Sequence, residues 1–570
     1  MTPQRIVLQS RPRMTPNLDI IVFGIYLLVV ATVGILASRR KEASDDYFLA
    51  SRNLVWWVIG GSMIAANIST HHFIGMSGRG YEIGLAVASY EWIAAVALVL
   101  YGKFFLPYYL KSKITTMPEF LEQRFSDKVR IAYAIISLIG YIVIELAVVL
   151  YTGSLAINTV FGLPLVWGLL ILCLVGGGYT IYGGFKAVAY TDVIQVTVLI
   201  LGGLTVMLLG LHKLGGLVPE YGPSVIGGFK AVLAGSPEKF HMVRPASDPE
   251  LPWPGVFFGG MWLANIFYWG CNQFITQRTL AAKNVWQGQM GVVFAGFLKL
   301  LVPFLVVLPG IVAFRLYNPQ TGLLKADCIL TKPDLAFPTL VTQLLPHGLT
   351  GLVMAGLMGC VMSHVASMMS ASSTILTFDI YKNHIKRDAS SADLVRFGRI
   401  TSVSVLVAAT GVGYLLQDLK GIFIYIQEFW SIAYPSVCAL FLAGFFYQRA
   451  SARGAFIAII AGPLWATTVT VLEKLHCLPR IPYLSVWSGS GDSGHWLIPF
   501  LTRGAIDFLF AFAILWIFRN RGPIEARAII DRSFSPEILA EMRAMPFYKR
   551  FSFWSTILIA CVIALYIRFF

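Results

Sequence analysis

Ala65-Ala66-Asn67-Ile68-Ser69-Thr70-His71-His72, followed by Gly75, Gly78 and Gly80, sits inside an apolar run over residues 54–79. The stretch is too polar to face lipid, yet the run around it is long enough to cross a bilayer. A second run, over 254–276, carries Leu263-Ala264-Asn265-Ile266-Phe267-Tyr268-Trp269-Gly270, so both runs contain Ala-Asn-Ile near their middle. A helix in lipid must satisfy its own backbone groups, and a polar interruption is tolerated only where it lines a cavity within the protein. Matching interruptions in corresponding helices are the sequence pointer to an inverted-repeat transporter with its site at the bilayer midplane.

The rest of the chain supplies the setting for those breaks. Of its 570 residues 57% are hydrophobic and 13% charged, and the mean hydropathy of +0.71 lies far outside the range of soluble domains. Nearly charge-free stretches such as Ile20 to Ala37, Val193 to Leu211 and Phe297 to Phe314 recur along it. Spans are predicted near 18–37, 54–79, 82–107, 131–162, 165–182, 187–212, 254–276, 289–316, 348–377, 397–417, 421–447, 454–472, 494–518 and 552–569, about fourteen in all. The expectation is an all-α polytopic membrane protein.

The net charge of +15 is read as topology, with no nucleic-acid partner expected. Arg39, Arg40, Lys41 and Arg52 fall in one connection, Lys111, Lys113, Arg124, Lys128 and Arg130 in another, and Lys382, Lys386, Arg387 and Arg396 in a third. With the basic residues from Arg519 to Arg550, these alternate connections are cytoplasmic by the positive-inside bias, which leaves both termini outside an inner membrane. Ile20 to Ala37 is followed by Ser-Arg-Arg-Lys and not by a small-residue cleavage motif, so it is read as a retained helix. Most cysteines lie in apolar spans as packing residues; a disulfide between Cys328 and Cys477 is left open.

If the first span is peripheral, the interrupted runs begin two five-helix halves, a 5+5 inverted repeat. Residues 1–17 then form an N-terminal tail, 18–37 a peripheral helix, 54–212 the first half and 254–447 the second. Residues 454–570 hold three further peripheral helices with an amphipathic cytoplasmic segment near 522–550. The chain carries no metal-ligand spacing, Gly-x-Ser-x-Gly elbow or phosphate loop, so no enzyme and no cofactor are expected. Glu91 and Lys299 lie inside predicted spans, where an isolated charge is expensive; opposite charges at similar depth suggest that each offsets the other. The bland reading of such buried polar groups is that they bind helices together.

Several motifs resemble the sodium/solute symporter family, in its sodium/glucose and bacterial sodium/galactose branch. They are Ile68-Ser69 with Phe73-Ile74-Gly75-Met76-Ser77-Gly78, Ser89-Tyr90-Glu91-Trp92, Thr116-Met117-Pro118-Glu119-Phe120, Gly183-Gly184 with Tyr190-Thr191-Asp192, Leu251-Pro252-Trp253-Pro254-Gly255, Gln277-Arg278, Tyr425-Ile426-Gln427 and Asp379-Ile380-Tyr381. The resemblance covers nearly the whole chain and implies a leucine-transporter-like fold, alternating access and a central hexose site. By it, Glu91, Asn265, Lys299 and Gln427 contact sugar hydroxyls, His72 contributes from the broken helix, and Tyr268 is the inner gate. That set suits a hexose, whose hydroxyls both donate and accept. Ala94 stands where relatives place a small polar sugar contact.

The same resemblance implies a sodium site made of the carbonyls of Ala65 and Ile68, the carbonyl of Cys360 and the hydroxyl of Ser363, with Asp192 matching an acid associated with sodium release. Oxygen ligands at a helix break suit a hard cation. Two residues depart from the pattern. His364 replaces a second serine and brings an imidazole that titrates near neutral pH. Glu145 replaces a neutral amide, and intramembrane Glu and His residues are the parts of proton relays. Coupling to sodium is the first expectation, with coupling to protons and no tight coupling kept beside it. The solute is a sugar or another small polar molecule such as an inositol, nucleoside or carboxylate. A membrane sugar sensor that does not transport is the rival class. Which sugar, which stoichiometry and whether the chain dimerises are not legible.

Overall fold

The computed structural model describes residues 16–37, 44–324, 330, 332–346, 348–416, 422–482, 484–488, 495–524, 530 and 544–570. The N-terminal tail up to residue 15, Cys328 and most of the segment near 522–550 lie outside the described residues. Within them the regular structure is helical apart from two isolated bridges and a small antiparallel ladder that pairs Val486–Ser488 with His495–Leu497, and the elements are joined by turns and irregular connections.

The elements that position the site are, in chain order, α1 (Pro16–Ala37), α2 (Trp56–Asn67), α3 (Ser77–Ile83), α4 (Ser89–Leu100), α5 (Asp127–Ile139), α6 (Ala147–Phe161) and α7 (Leu165–Leu217). They continue with α8 (Gly260–Ile266), α9 (Gln273–Leu280), α10 (Val285–Tyr317), α11 (Leu349–Ile375), α12 (Ser391–Leu415) and α13 (Ile422–Phe446). Last come α14 (Ala452–Lys474), α15 (Phe500–Ile517) and α16 (Phe551–Arg568).

Eleven helices among the described residues are long and apolar enough to cross a membrane. The spans expected near 54–79, 165–182 and 254–276 are not among them. The first and last are broken helices, and the middle one is the shorter apolar helix Leu165–Gly178. The sixth expected span continues from the fifth in α7, which changes direction at Gly184 (φ 61, ψ −172). That backbone conformation suits glycine, and a Cβ there would also meet the carbonyl oxygen of Tyr47 at 2.9 Å.

The first break falls where the sequence places it. Ile68 turns extended (φ −79, ψ 121) and ends α2, after which His72–Met76 forms a wide π-turn leading into α3. The second break does not fall at Ala264-Asn265-Ile266, which remain helical in α8. The chain opens instead at Asn272 (φ −93, ψ 123), after a π-turn over Phe267–Cys271. The triplet holds no residue that ends a helix, whereas Asn is at home in the extended position ahead of a new one. Tyr141 pins the opening, since its hydroxyl bonds the Asn272 side chain and accepts from the Gln273 amide at 3.1 Å.

Helix α10 packs along α2, α3 and α4, and α11 lies along α7, so the two broken helices are enclosed by long continuous ones. Helix α1, expected as peripheral, rests on α7 and α11. Its Asp19 is buried and accepts from the amides of Gly348 and Gly351 at 2.8 and 2.7 Å, which caps the N-terminus of α11. Helices α14 and α15 pack against α13, and α16 against α4 and α10.

Candidate functional site

The two breaks and helices α4, α10 and α13 surround one cavity of about 100 Å³ in the middle of the helix array. His72, Glu91, Asn265, Tyr268, Lys299 and Gln427 all line it, as do Ala94 and Glu145. The residues singled out as sugar contacts from separate spans are therefore brought together. Asn67, His71, Trp269 and Trp430 also line it and were not singled out for it in the sequence.

Glu91 and Lys299 are 3% and 1% exposed and form a direct ion pair, with the ammonium also donating to the Asn67 side-chain oxygen. Leaving one member of such a pair alone in the interior costs about 3–5 kcal/mol, because the other charge loses its compensation. Lys299 lies 5.1 Å from the centre of the Trp269 ring. His72 Nε2 is 3.8 Å from Glu91, so the carboxylate is approached from both broken helix and long helix. Asn67 donates its amide to the Tyr268 hydroxyl at 2.9 Å, tying the gate candidate to the first break. Asn265 donates to the Met261 carbonyl at 2.9 Å. The cavity wall thus offers carboxylate, ammonium, amide and hydroxyl groups beside aromatic faces, the mixture that polyol recognition needs.

The residues singled out for the ion lie at the first break, where α2 ends, and on α11. Ala65, Ile68, Cys360, Ser363 and His364 are all buried. His364 Nδ1 bonds the carbonyl of Ala66 at 2.8 Å, and its Nε2 stands 3.5 Å from a Glu145 carboxylate oxygen. The other Glu145 oxygen accepts from Trp430 Nε1 at 2.7 Å, which links this region to the central cavity. Ser363 donates its hydroxyl to Asp192 at 2.6 Å.

Asp192 is fully buried, and its second oxygen accepts from Ser62 at 2.5 Å and from Arg278 Nη2 at 3.1 Å. Arg278 also donates to the Ser62 carbonyl at 3.0 Å and to Ser367 Oγ at 2.5 Å, while Ser367 donates to the Ser363 carbonyl at 2.6 Å. This network joins α2, α7, α9 and α11. Arg278 belongs to one of the sequence motifs, but no role for it was expected there. The signal that could have found it is charge balance, since a buried Asp192 calls for a cation at its own depth.

Two interrupted helices around a polar cavity, enclosed by long apolar ones, define a multi-pass membrane transporter. Comparison with known proteins makes the class specific: the chain belongs to the sodium:solute symporter family, whose pattern matches residues 47–462. It is 43% identical over 458 residues to a sodium/glucose cotransporter of Vibrio parahaemolyticus, covering 78% of this chain and 83% of that one. It is 33% identical over 491 residues to sodium/glucose cotransporter 1 of Ovis aries, covering 82% and 73%. It is 34% identical over 498 residues to sodium/myo-inositol cotransporter 2 of Mus musculus, covering 84% and 74%. Among solved structures, a Na+-coupled sialic acid symporter in a substrate-bound outward-open state shares the fold, with a TM-score of 0.73 at 20% identity over 88% of this chain and 97% of that one. The protein is thus a multi-pass solute symporter and not an enzyme.

Proposed function

We propose that this chain imports a hexose by alternating access, driven by a sodium gradient across a bacterial inner membrane. The observation that carries the reading is the convergence of His72, Glu91, Asn265, Lys299 and Gln427 on one cavity beside Tyr268. Glu91 accepts from sugar hydroxyls, Lys299 donates, and Asn265 and Gln427 do both; Tyr268 closes the inward path. The sodium/glucose cotransporters among its relatives support the sugar, and the sodium/myo-inositol cotransporters keep a cyclic polyol beside it. Sodium is held by the carbonyls of Ala65, Ile68 and Cys360 with the Ser363 hydroxyl, and Asp192 receives it on release. Fourteen spans, ten of them in two inverted five-helix halves and the other four peripheral, with both termini outside, complete the reading.

A second coupling mode is favoured by one contact. A carbonyl only accepts, so the bond to Ala66 puts a proton on His364 Nδ1 and turns Nε2 toward Glu145. A neutral ring in that tautomer would offer a lone pair to a carboxylate, whereas one proton on Nε2 or on Glu145 makes the contact attractive. That pair is the form a proton carrier takes in a membrane. Uptake of labelled glucose, galactose and myo-inositol into proteoliposomes tests both readings when sodium and pH gradients are varied separately. Counterflow of labelled sugar excludes a sensor that binds without transporting.

A further inference from the structure

A smaller cavity adjoins the central one and is lined by Arg79, Val87, Tyr90, Glu250, Gln427 and Phe500, among others. Tyr90 and Gln427 line both cavities, so the two are neighbours along one path. The end of the smaller one away from the centre is formed by Arg79, at the start of α3, and Glu250, in the connection that follows α7.

Arg79 pairs through Nη1 with Glu82 and through Nη2 with Glu250. Glu250 is held in place for this. Asp248 accepts from the Glu250 and Leu251 amides at 3.0 and 2.8 Å, and from Arg244 Nε at 2.9 Å. The same connection grips the end of α3 a second time, where Lys239 donates to the Tyr81 and Glu82 carbonyls at 3.0 and 2.6 Å. The side chains of Arg79 and Glu250 remain 17% and 28% exposed.

We propose that the Arg79–Glu250 ion pair is the outer latch of the solute path, with the small cavity as the antechamber behind it. The proposal rests on the topology proposed above, which puts the connection over residues 213–252 on the outer side. The two partners sit on segments that lead out of one broken helix and into the other, at the end of the small cavity away from the centre. An ion pair at partial exposure suits a contact that opens and closes repeatedly, since both groups rehydrate on opening and the free energy changes little. The buried Glu91–Lys299 pair could not be exposed and remade so readily. A solute entering from outside therefore meets the latch, then the antechamber, then Tyr90 and Gln427.

The test reads access to the antechamber without any sugar. Val87→Cys is introduced into a chain carrying Cys328→Ser and Cys477→Ser, and labelling by a membrane-impermeant methanethiosulfonate is timed from the outer side. Glu250→Gln is expected to raise the labelling rate about five-fold, the population shift that loss of one partly exposed ion pair gives. Arg79→Gln should do the same, and the double exchange Arg79→Glu with Glu250→Arg should return the rate toward the parent, because the relocated arginine faces the carboxylates at 79 and 82. An unchanged rate in both single variants overturns the latch, as does a double exchange that labels as fast as the singles. Because no sugar is present, a latch that passes this test survives even if the hexose reading fails in uptake.

Discussion

The Nδ1 of His364 lies 2.8 Å from the carbonyl oxygen of Ala66, in the last turn of α2 just before the first helix break. An imidazole is thus fastened to the segment that supplies carbonyls to the expected sodium site, and its other nitrogen faces Glu145 at 3.5 Å. In the sodium reading, His364→Ser frees the Ala66 carbonyl and sets a second hydroxyl near that of Ser363, so half-maximal uptake should need less sodium. In the proton reading, the same change removes dependence on a pH gradient, and Glu145→Gln does likewise. Initial rates of sugar uptake against external sodium, at two fixed pH values, separate these outcomes.

Glu91→Gln and Lys299→Ala should each abolish concentrative hexose uptake. Each leaves its partner's charge buried, a loss of about 3–5 kcal/mol that also lowers thermal stability. The double change Glu91→Gln with Lys299→Met removes both charges and should recover much of the stability while transport stays absent. Thermal unfolding in detergent and uptake in proteoliposomes are measured side by side. Parental uptake in either single variant would place the sugar elsewhere.

The sequence made the first break legible because Asn67-Ile68-Ser69-Thr70 has no lipid-facing explanation, and made the Glu91–Lys299 pair legible because neither charge survives alone in a membrane. The second break was missed at its true position: Asn272 resembles any loop asparagine until Tyr141 is seen to hold it. The Asp192–Arg278 bond joins residues 86 apart, and the Asp19 cap reaches across 329, distances over which no periodicity speaks. The orientation of His364 depends on a ring torsion, which residue type does not fix.

Tyr268→Phe keeps the aromatic barrier and should retain much of the transport. It leaves the Asn67 amide without the hydroxyl that accepts from it, a loss of about 1–3 kcal/mol that shows as reduced stability. Tyr268→Ala opens the inward path and should lose most of the uptake. Equal losses of uptake from both would assign the function to the hydroxyl and not to the ring.

Asp19→Ala removes the cap that α1 places on α11. Stability should fall by about 1 kcal/mol, the usual cost of losing an N-terminal carboxylate cap, with the sugar concentration for half-maximal uptake unchanged. Differential scanning of the purified chain and a sugar titration check the two halves. A several-fold change in apparent sugar affinity would give α1 a part in the transport cycle.

The most direct measurement is concentrative uptake of labelled glucose or galactose into proteoliposomes holding the purified chain, with the sodium gradient and the pH gradient imposed one at a time. The account predicts accumulation above the external concentration when sodium is imposed inward, lost in Glu91→Gln. Accumulation under a pH gradient alone would transfer the coupling to His364 and Glu145. No accumulation of any hexose or cyclic polyol under either gradient would contradict the claim that the central cavity is the site of a sugar symporter.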